Sequence, residues 1–425
     1  MDNYLVVADD FTGANDTGVQ IRRRGIPVRV IFSGRELCSL TGNSETGGGS
    51  WVLDTESRFL PEAQAFEKLV SETEEIPFGN FLHVIKKVDS TLRGNIGAET
   101  RALAQCYVPE LIVFAPALPD LGRATIDRIH CLSGTPISQT ELARDPKTPV
   151  KIDDVQKIMA DAFGEEVFHV CLNTLRNDPD VLRRGLAATR NDSLKRPRIF
   201  SFDASANSDL QVIVRIVTAT GQRVLWVGSA GLVDNILSVK APIPPALAVV
   251  ASLSSVTRNQ VLFAEKQGVS LVKVPLCAIL EKETDPEKPA EEAIALLKEG
   301  KDVILLSSST YSAEEYQKAE EGARRAGLST EAMSNFTQGL IGQITMLILK
   351  GAEISGLFLS GGDTAVSCFE KAGAAGSEIV TEIATGIPLM LLAGGKYEGL
   401  KVVTKAGAFG KEDAIFYGLR KLREA

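Results

Sequence analysis

The chain has 425 residues, 44% hydrophobic and 24% charged, which excludes a wholly disordered, collagenous or coiled-coil protein. Lys and Arg number 46 against 54 Asp and Glu, a formal net charge of −8, so no basic excess points to nucleic acid or an anionic membrane. At about 150 residues per domain the length suggests about three domains, and two large α/β domains fit it equally well.

The N-terminus carries Asp2, Asp9 and Asp10 and lacks the basic and apolar regions of a signal peptide. No apolar run reaches the roughly 18 residues of a membrane span. The six cysteines (38, 106, 131, 171, 277 and 368) form no CxxC pair, so reduced thiols in a cytoplasmic protein are expected. His83, His130 and His169 lack metal-ligand spacing to one another, and each reads as a strand or loop residue.

Tyr4–Ala8 opens the chain as a short apolar strand, and a helical stretch then runs to Arg24. Arg22, Arg23 and Arg24 precede Gly25, where cations suit a helix C-terminus. Strands are expected at Val28–Phe32, Trp51–Leu53 and Phe81–Ile85, with a polar loop at 41–50 and a helix from Pro61 to Glu75. Leu111–Ala115, Val167–Cys171, Arg198–Phe202 and Val224–Val227 continue the series. Residues 238–248 hold Pro242, Pro244 and Pro245 and read as a linker. Further strands are expected at Ala248–Ala251, Leu271–Val274, Val303–Leu306, Leu357–Leu359, Leu389–Leu392 and Val402–Thr404, with a closing helix over Lys411–Leu422. This βα rhythm predicts two α/β domains with mostly parallel sheets, at 1–237 and 249–425.

Ligands of open α/β sheets bind beyond the carboxyl ends of strands. Unusual residues gather in such loops. ADDFTGANDTG at 8–18 holds Asp9, Asp10, Asp16, Thr12 and Asn15, more carboxylates than an N-cap needs. DTESR at 54–58 places Arg58 where a guanidinium can grip a carboxylate with two parallel hydrogen bonds. KKVDSTLRGN at 86–95 offers Lys87, Asp89, Ser90, Thr91 and Arg93, a set suited to a polyhydroxylated anion. In the second half, LSGGDT at 359–364, KAGAFG at 405–410 and ASLSS at 251–255 form small-residue loops after strands. Such loops let backbone N–H groups approach phosphate. Neither GxxxxGK[ST] nor an opening GxGxxG is present, which weakens a nicotinamide-dependent reading.

With these motifs in this order, the chain resembles the four-carbon acid sugar kinases over essentially its whole length. The resemblance implies an N-terminal sugar-acid-binding domain, a C-terminal nucleotide-binding domain and an active site in the cleft between them, with 238–248 in the hinge. The implied reaction is ATP-dependent phosphorylation of the C4 hydroxyl of a four-carbon acid. D-threonate is the favoured acid, and D-erythronate or 3-oxo-tetronate is the alternative. Carried over motif by motif, acid contacts fall on Asp9, Arg58, Lys87, Asp89, Ser90 and Thr91. ATP contacts fall on Ser254 or Ser255, Gly361, Gly362, Asp363, Thr364 and Gly407. Asp9, with Asp363 as rival, is the expected base, and Mg²⁺ is expected to bridge phosphate oxygens. A homodimer is the expected assembly. Non-catalytic sensing of a nucleotide or sugar acid is the reading from another class.

Overall fold

The computed structural model describes residues 2–41, 49–187, 196–311 and 313–424. Most of the polar loop expected at 41–50 lies outside them. The chain divides into two compact units, Met1–Pro242 and Ile243–Ala425. The expected linker is partly regular: the helix Ala230–Lys240 enters it and a strand begins at Leu247.

The first unit is built on Tyr4–Ala8 (β1), Val28–Ile31 (β2), Ser50–Asp54 (β3), His83–Lys87 (β4), Leu111–Ala115 (β5), Arg123–Ile126 (β6), Ile129–Leu132 (β7), Thr135–Pro136 (β8), Val167–Val170 (β9), Arg198–Phe202 (β10) and Val224–Gly228 (β11). Eight of these form one sheet in the order β2-β3-β1-β4-β11-β5-β10-β9, and every pairing in it is parallel. Central strands β1, β3, β4, β5 and β11 are buried throughout. Helices cover both faces of such a sheet, which is why these strands read as continuous apolar runs. β6, β7 and β8 form a separate antiparallel sheet. At two to four residues each, these strands are too short for a period-2 pattern to stand out in the sequence.

β4 begins at His83, two residues later than the apolar run suggests, because Phe78–Asn80 is a 3₁₀ turn. The basic run behaves as expected at its start: the first helix, Phe11–Arg22, is capped by Arg23, and Gly25 takes φ +75°. Arg24 turns inward to Asp234 at 3.1 Å and to the Ser238 hydroxyl at 3.0 Å.

The second unit holds Leu247–Val250 (β12), Ser270–Val274 (β13), Val303–Ser307 (β14), Leu357–Ser360 (β15), Gly376–Ala384 (β16), Ile387–Ala393 (β17) and Lys401–Lys405 (β18). Their order is β13-β14-β12-β15-β18-β17-β16. The first five are parallel and the last two antiparallel. β16 lies at the sheet edge, and all but one of its residues are exposed. With no buried face it has no apolar periodicity, so it was not legible beforehand.

In both sheets the first strand is flanked by one from each side of a topological reversal. β1 lies between β3 and β4, and β12 between β14 and β15. The loops that leave these strands diverge and open a crevice at their carboxyl ends.

Candidate active site

Three of the predicted loops meet at that crevice in the first unit. They leave neighbouring strands β1, β3 and β4, so the sheet brings together residues far apart in sequence. Arg58 is their hub. Its Nε donates to Asp9 Oδ2 at 2.8 Å, and Nη2 donates to Asp9 Oδ1 at 2.8 Å. Nη1 donates to Asp10 Oδ2 at 2.7 Å, and Nη2 also to Asp10 Oδ1 at 2.6 Å. Arg58 and Asp9 are 6% and 1% exposed, so this is a buried, bidentate pair rather than a surface bridge. Burial opposes the Arg58 charge, but hydrogen bonding and the charges of Asp9, Asp89 and Asp10 outweigh it and hold the guanidinium above its ordinary range. Asp10 also caps the first helix by accepting from Gly13 N–H at 3.1 Å.

Lys87 ends β4 and is buried. Its Nζ donates to the Val88 carbonyl at 2.9 Å. Burial pushes this ammonium down, and Arg58 adds to that, while Asp9, Asp10 and Asp89 pull the other way. Gly13 makes room for it: a Cβ there would lie 2.8 Å from Lys87 Nζ and 2.7 Å from Asp10 Oδ1.

Asp89 organises the third loop. It accepts from Thr91 N–H at 3.0 Å, from the Thr91 hydroxyl, and from Arg93 Nε at 3.1 Å and Nη2 at 2.9 Å. Burial alone would raise its pKa. The Arg93 and Thr91 hydrogen bonds and the Arg58 charge reverse this and hold the carboxyl well below the usual range. Ser90 is held from the small sheet, where His130 Nε2 donates to the Ser90 carbonyl at 3.0 Å. Because a carbonyl only accepts, Nε2 carries the proton and Nδ1 is left to accept from the Thr125 hydroxyl at 2.8 Å. Burial pushes His130 down to about 4 and keeps it neutral.

Beneath the site, Lys86 pairs with Glu99 at 2.9 Å and donates to the Lys87 carbonyl at 2.9 Å. Burial pushes Glu99 up, and Lys86 opposes it. Sequence reasoning did not single out Lys86, Glu99 or His130 as supports, since each meets its partner through the fold.

Asp9, Arg58, Lys87, Asp89, Ser90 and Thr91 therefore stand in one neighbourhood. Asp16 and Thr12 are exposed on the first helix, and no hydrogen bond or ion pair among the described residues ties either side chain to this cluster. Asn15 is spent on the Phe11 carbonyl at 2.8 Å. Arg58, expected to contact the acid, is paired within its own chain in this structure. Asp9 and Asp10 already engage each of its nitrogens, so a substrate carboxylate would have to displace one of them. Lys87 is less committed.

The second unit contains a cavity of about 730 Å³. Gly361, Gly362, Asp363, Thr364 and Gly407 line it, together with Ser252 and Leu253. Ser254 and Ser255 are not in its wall. They open the helix Ser255–Lys266, where Ser254 is the N-cap. Gly361 takes φ +109° as the N-cap of the helix Gly362–Ala372, a conformation that admits little but glycine. That helix N-terminus favours an anion. The far wall, including Tyr316, Ala319, Ala323 and Met333, comes from two helices. Their amphipathic pattern resembles that of any surface helix, so no signal marked them.

Two family models match the chain. A sugar-binding N-terminal domain spans residues 4–236, and a nucleotide-binding C-terminal domain spans 247–415. A D-threonate kinase of Salmonella typhimurium is 33% identical, with 97% of each chain covered. A D-erythronate kinase of Heliobacterium modesticaldum is 28% identical, covering 97% of this chain and 95% of the relative. Among solved structures, a Bordetella bronchiseptica domain of unknown function, a domain-swapped dimer with bound citrate, is 26% identical. It superposes with a TM-score of 0.63 and covers 99% of this chain and 98% of that one.

Proposed function

We propose a reaction for this chain from the fact that it belongs to the four-carbon acid sugar kinase family and is a phosphotransferase with an alcohol group as acceptor. The reaction is transfer of the ATP γ-phosphoryl group to the C4 hydroxyl of D-threonate. A C4 O–P bond forms, the bond from the γ-phosphorus to the β,γ-bridging oxygen breaks, and the hydroxyl proton leaves. One observation carries this reading: Asp9, Asp10, Arg58, Lys87 and Asp89 converge at the ends of three neighbouring strands.

Lys87 is the cation for the acid's carboxylate. Asp9 accepts from a hydroxyl and orients it, and Arg58 holds the plane of Asp9. Ser90 and Thr91 complete the polar wall. In the second unit the Gly361–Thr364 segment receives phosphate, and Asp363 is the rival proton acceptor. Phosphoryl transfer asks mainly for positioning and neutralisation of charge, and a buried, charge-matched site supplies both. Mg²⁺ is the expected companion of ATP. Among the described residues no group of three or more His, Cys, Asp or Glu side chains could hold a metal ion. With ATP, Mg²⁺ usually takes phosphate oxygens, waters and one or two carboxylates, and Asp363 at the head of the phosphate-receiving helix would supply one.

The acid is assigned as D-threonate because the Salmonella relative carries that name at 33% identity over nearly the full chain. D-erythronate differs at one stereocentre and 3-oxo-tetronate by one carbonyl, differences that one or two hydrogen bonds discriminate. Homodimeric assembly follows the Bordetella structure. A cytoplasmic location fits the metabolic role, and no helix among the described residues is long and apolar enough to cross a membrane.

A coupled ADP-release assay across the three acids tests the proposal. D-threonate should give the highest kcat/KM. Tight ATP binding without ADP release from any of them would instead support a nucleotide sensor.

A further inference from the structure

The loop after β18 has its carbonyls turned to one side. Lys405 Nζ donates to the Ala406 carbonyl at 3.0 Å and the Gly407 carbonyl at 2.9 Å. The Thr257 hydroxyl donates to the Gly407 carbonyl at 2.7 Å. Gln260 Nε2 donates to the carbonyls of Phe409, Gly410 and Lys411 at 3.0, 3.3 and 2.8 Å. Lys405, Thr257 and Gln260 are all buried. In a trans peptide the N–H points opposite to the C=O of the same plane. Holding the Ala406 and Gly407 carbonyls inward therefore turns the Gly407 and Ala408 N–H groups outward. Neither N–H has a partner among the described residues, and Gly407 lines the cavity. Successive free amides of this kind make an anion-binding concavity.

The ammonium behind this loop has no counter-ion. Lys405 is 2% exposed, and no carboxylate among the described residues forms an ion pair with it. The helix Ser255–Lys266 presents Thr257, whose hydroxyl is 3.4 Å from Nζ, and its Arg258 is turned to the Thr310 carbonyl at 3.0 Å. The adjoining strand β15 ends in the uncharged Ser360. Asp363, Lys411, Glu412 and Asp413 are exposed. Burial alone pushes the Lys405 ammonium down to about 8. A buried cation without a partner is costly unless an anion arrives.

We propose that Lys405 is the positioning residue of the phosphate-binding loop, and that nucleotide phosphate binding is coupled to protonation of its ammonium. The inference rests on the nucleotide reading of the cavity. Lys405 spends its hydrogen bonds on the loop and on Thr257, so it acts through the outward amides and through its charge. Phosphate supplies the missing negative charge, and the amine takes a proton from solvent as ATP binds.

The test is calorimetric titration of the full chain with ATP, and with adenosine as a phosphate-free control, at pH 7 and pH 9. Excess Mg²⁺ is present throughout; by lowering the pKa of the γ-phosphate it keeps ATP fully ionised at both pH values, so the nucleotide's own ionisation does not confound the comparison. With the free ammonium at about 8, the wild-type Kd for ATP should rise about tenfold from pH 7 to pH 9. Adenosine affinity should not change. Titration at pH 8.5 in two buffers of different ionisation enthalpy should show uptake of more than half a proton per ATP, which needs no variant. Lys405→Gln keeps a donor for the loop but removes the charge. It should bind ATP about tenfold more weakly at pH 7 and show no pH dependence. Absence of proton uptake, or an unchanged pH dependence in Lys405→Gln, would overturn the role of Lys405. If the wild type failed to bind ATP even at pH 7, the nucleotide reading itself would fall, and this proposal with it.

Discussion

Arg58→Lys is the sharpest probe of the first unit. The substitution keeps one positive charge and removes the planar fork. In the wild type that fork makes four hydrogen bonds of 2.6–2.8 Å to Asp9 and Asp10. An ammonium on a shorter reach can replace about two of them, leaving part of each carboxylate unpaired. Hydrogen bonds to charged groups contribute about 1.5–3 kcal/mol each, and the pair is too buried for solvent to compensate. A loss of about 3–5 kcal/mol follows, a large part of a typical domain's 5–15 kcal/mol. Scanning calorimetry should show a fall in Tm on the order of 10 °C. In steady-state kinetics, kcat/KM for the acid should drop by about two orders of magnitude. KM for ATP should stay within about twofold, because the cavity of the second unit does not include this residue. A variant with wild-type Tm and kcat/KM would refute the claim that the Arg58 fork builds the acid site.

Three further substitutions probe the same neighbourhood. Gly13→Ala drives a Cβ to within 2.8 Å of Lys87 Nζ, so KM for the acid should rise about tenfold or more with little change in KM for ATP. His130 should make the fold acid-sensitive. Its pKa drops from 6.5 to about 4 on burial, so the unfolded chain binds more protons between those values. That stability is complete above pH 6.5 and is lost as the pH falls through 4, amounting to about 3 kcal/mol. Denaturant melts of His130→Gln should be flatter across this window than those of the wild type. Asp9→Asn keeps the shape of the side chain but not its charge, and kcat should fall by about 100-fold or more; full activity would remove Asp9 from the chemistry.

Much of this site could be read in the sequence because each motif follows an apolar strand, and a parallel sheet delivers such loops to one edge. Asp9, Arg58 and Lys87 were found that way. What the residues meet was not legible. Arg58 and Asp9 are 49 positions apart, so periodicity gives no hint that the expected carboxylate clamp is taken by its own chain. Asp16 shares the motif of Asp9 and Asp10, but it lies in the second turn of the helix that Asp10 caps and is exposed there. The hydroxyl loop at 251–255 was placed correctly, yet the helix begins at Ser255, and this leaves Ser252 in the cavity wall. Lys405 stood in a recognised loop without attracting notice, since only burial makes a lysine without an acid partner informative. β16 is not legible because it has no buried face, and β6, β7 and β8 because each is only two to four residues long.

Product analysis tests the central claim most directly. The chain is incubated with ATP, Mg²⁺ and D-threonate, and phosphorus and proton NMR follow the phosphate. The account predicts one phosphomonoester at C4 for each ADP formed. ADP accompanied only by inorganic phosphate, or a phosphoryl group on C2 or C3, would contradict it.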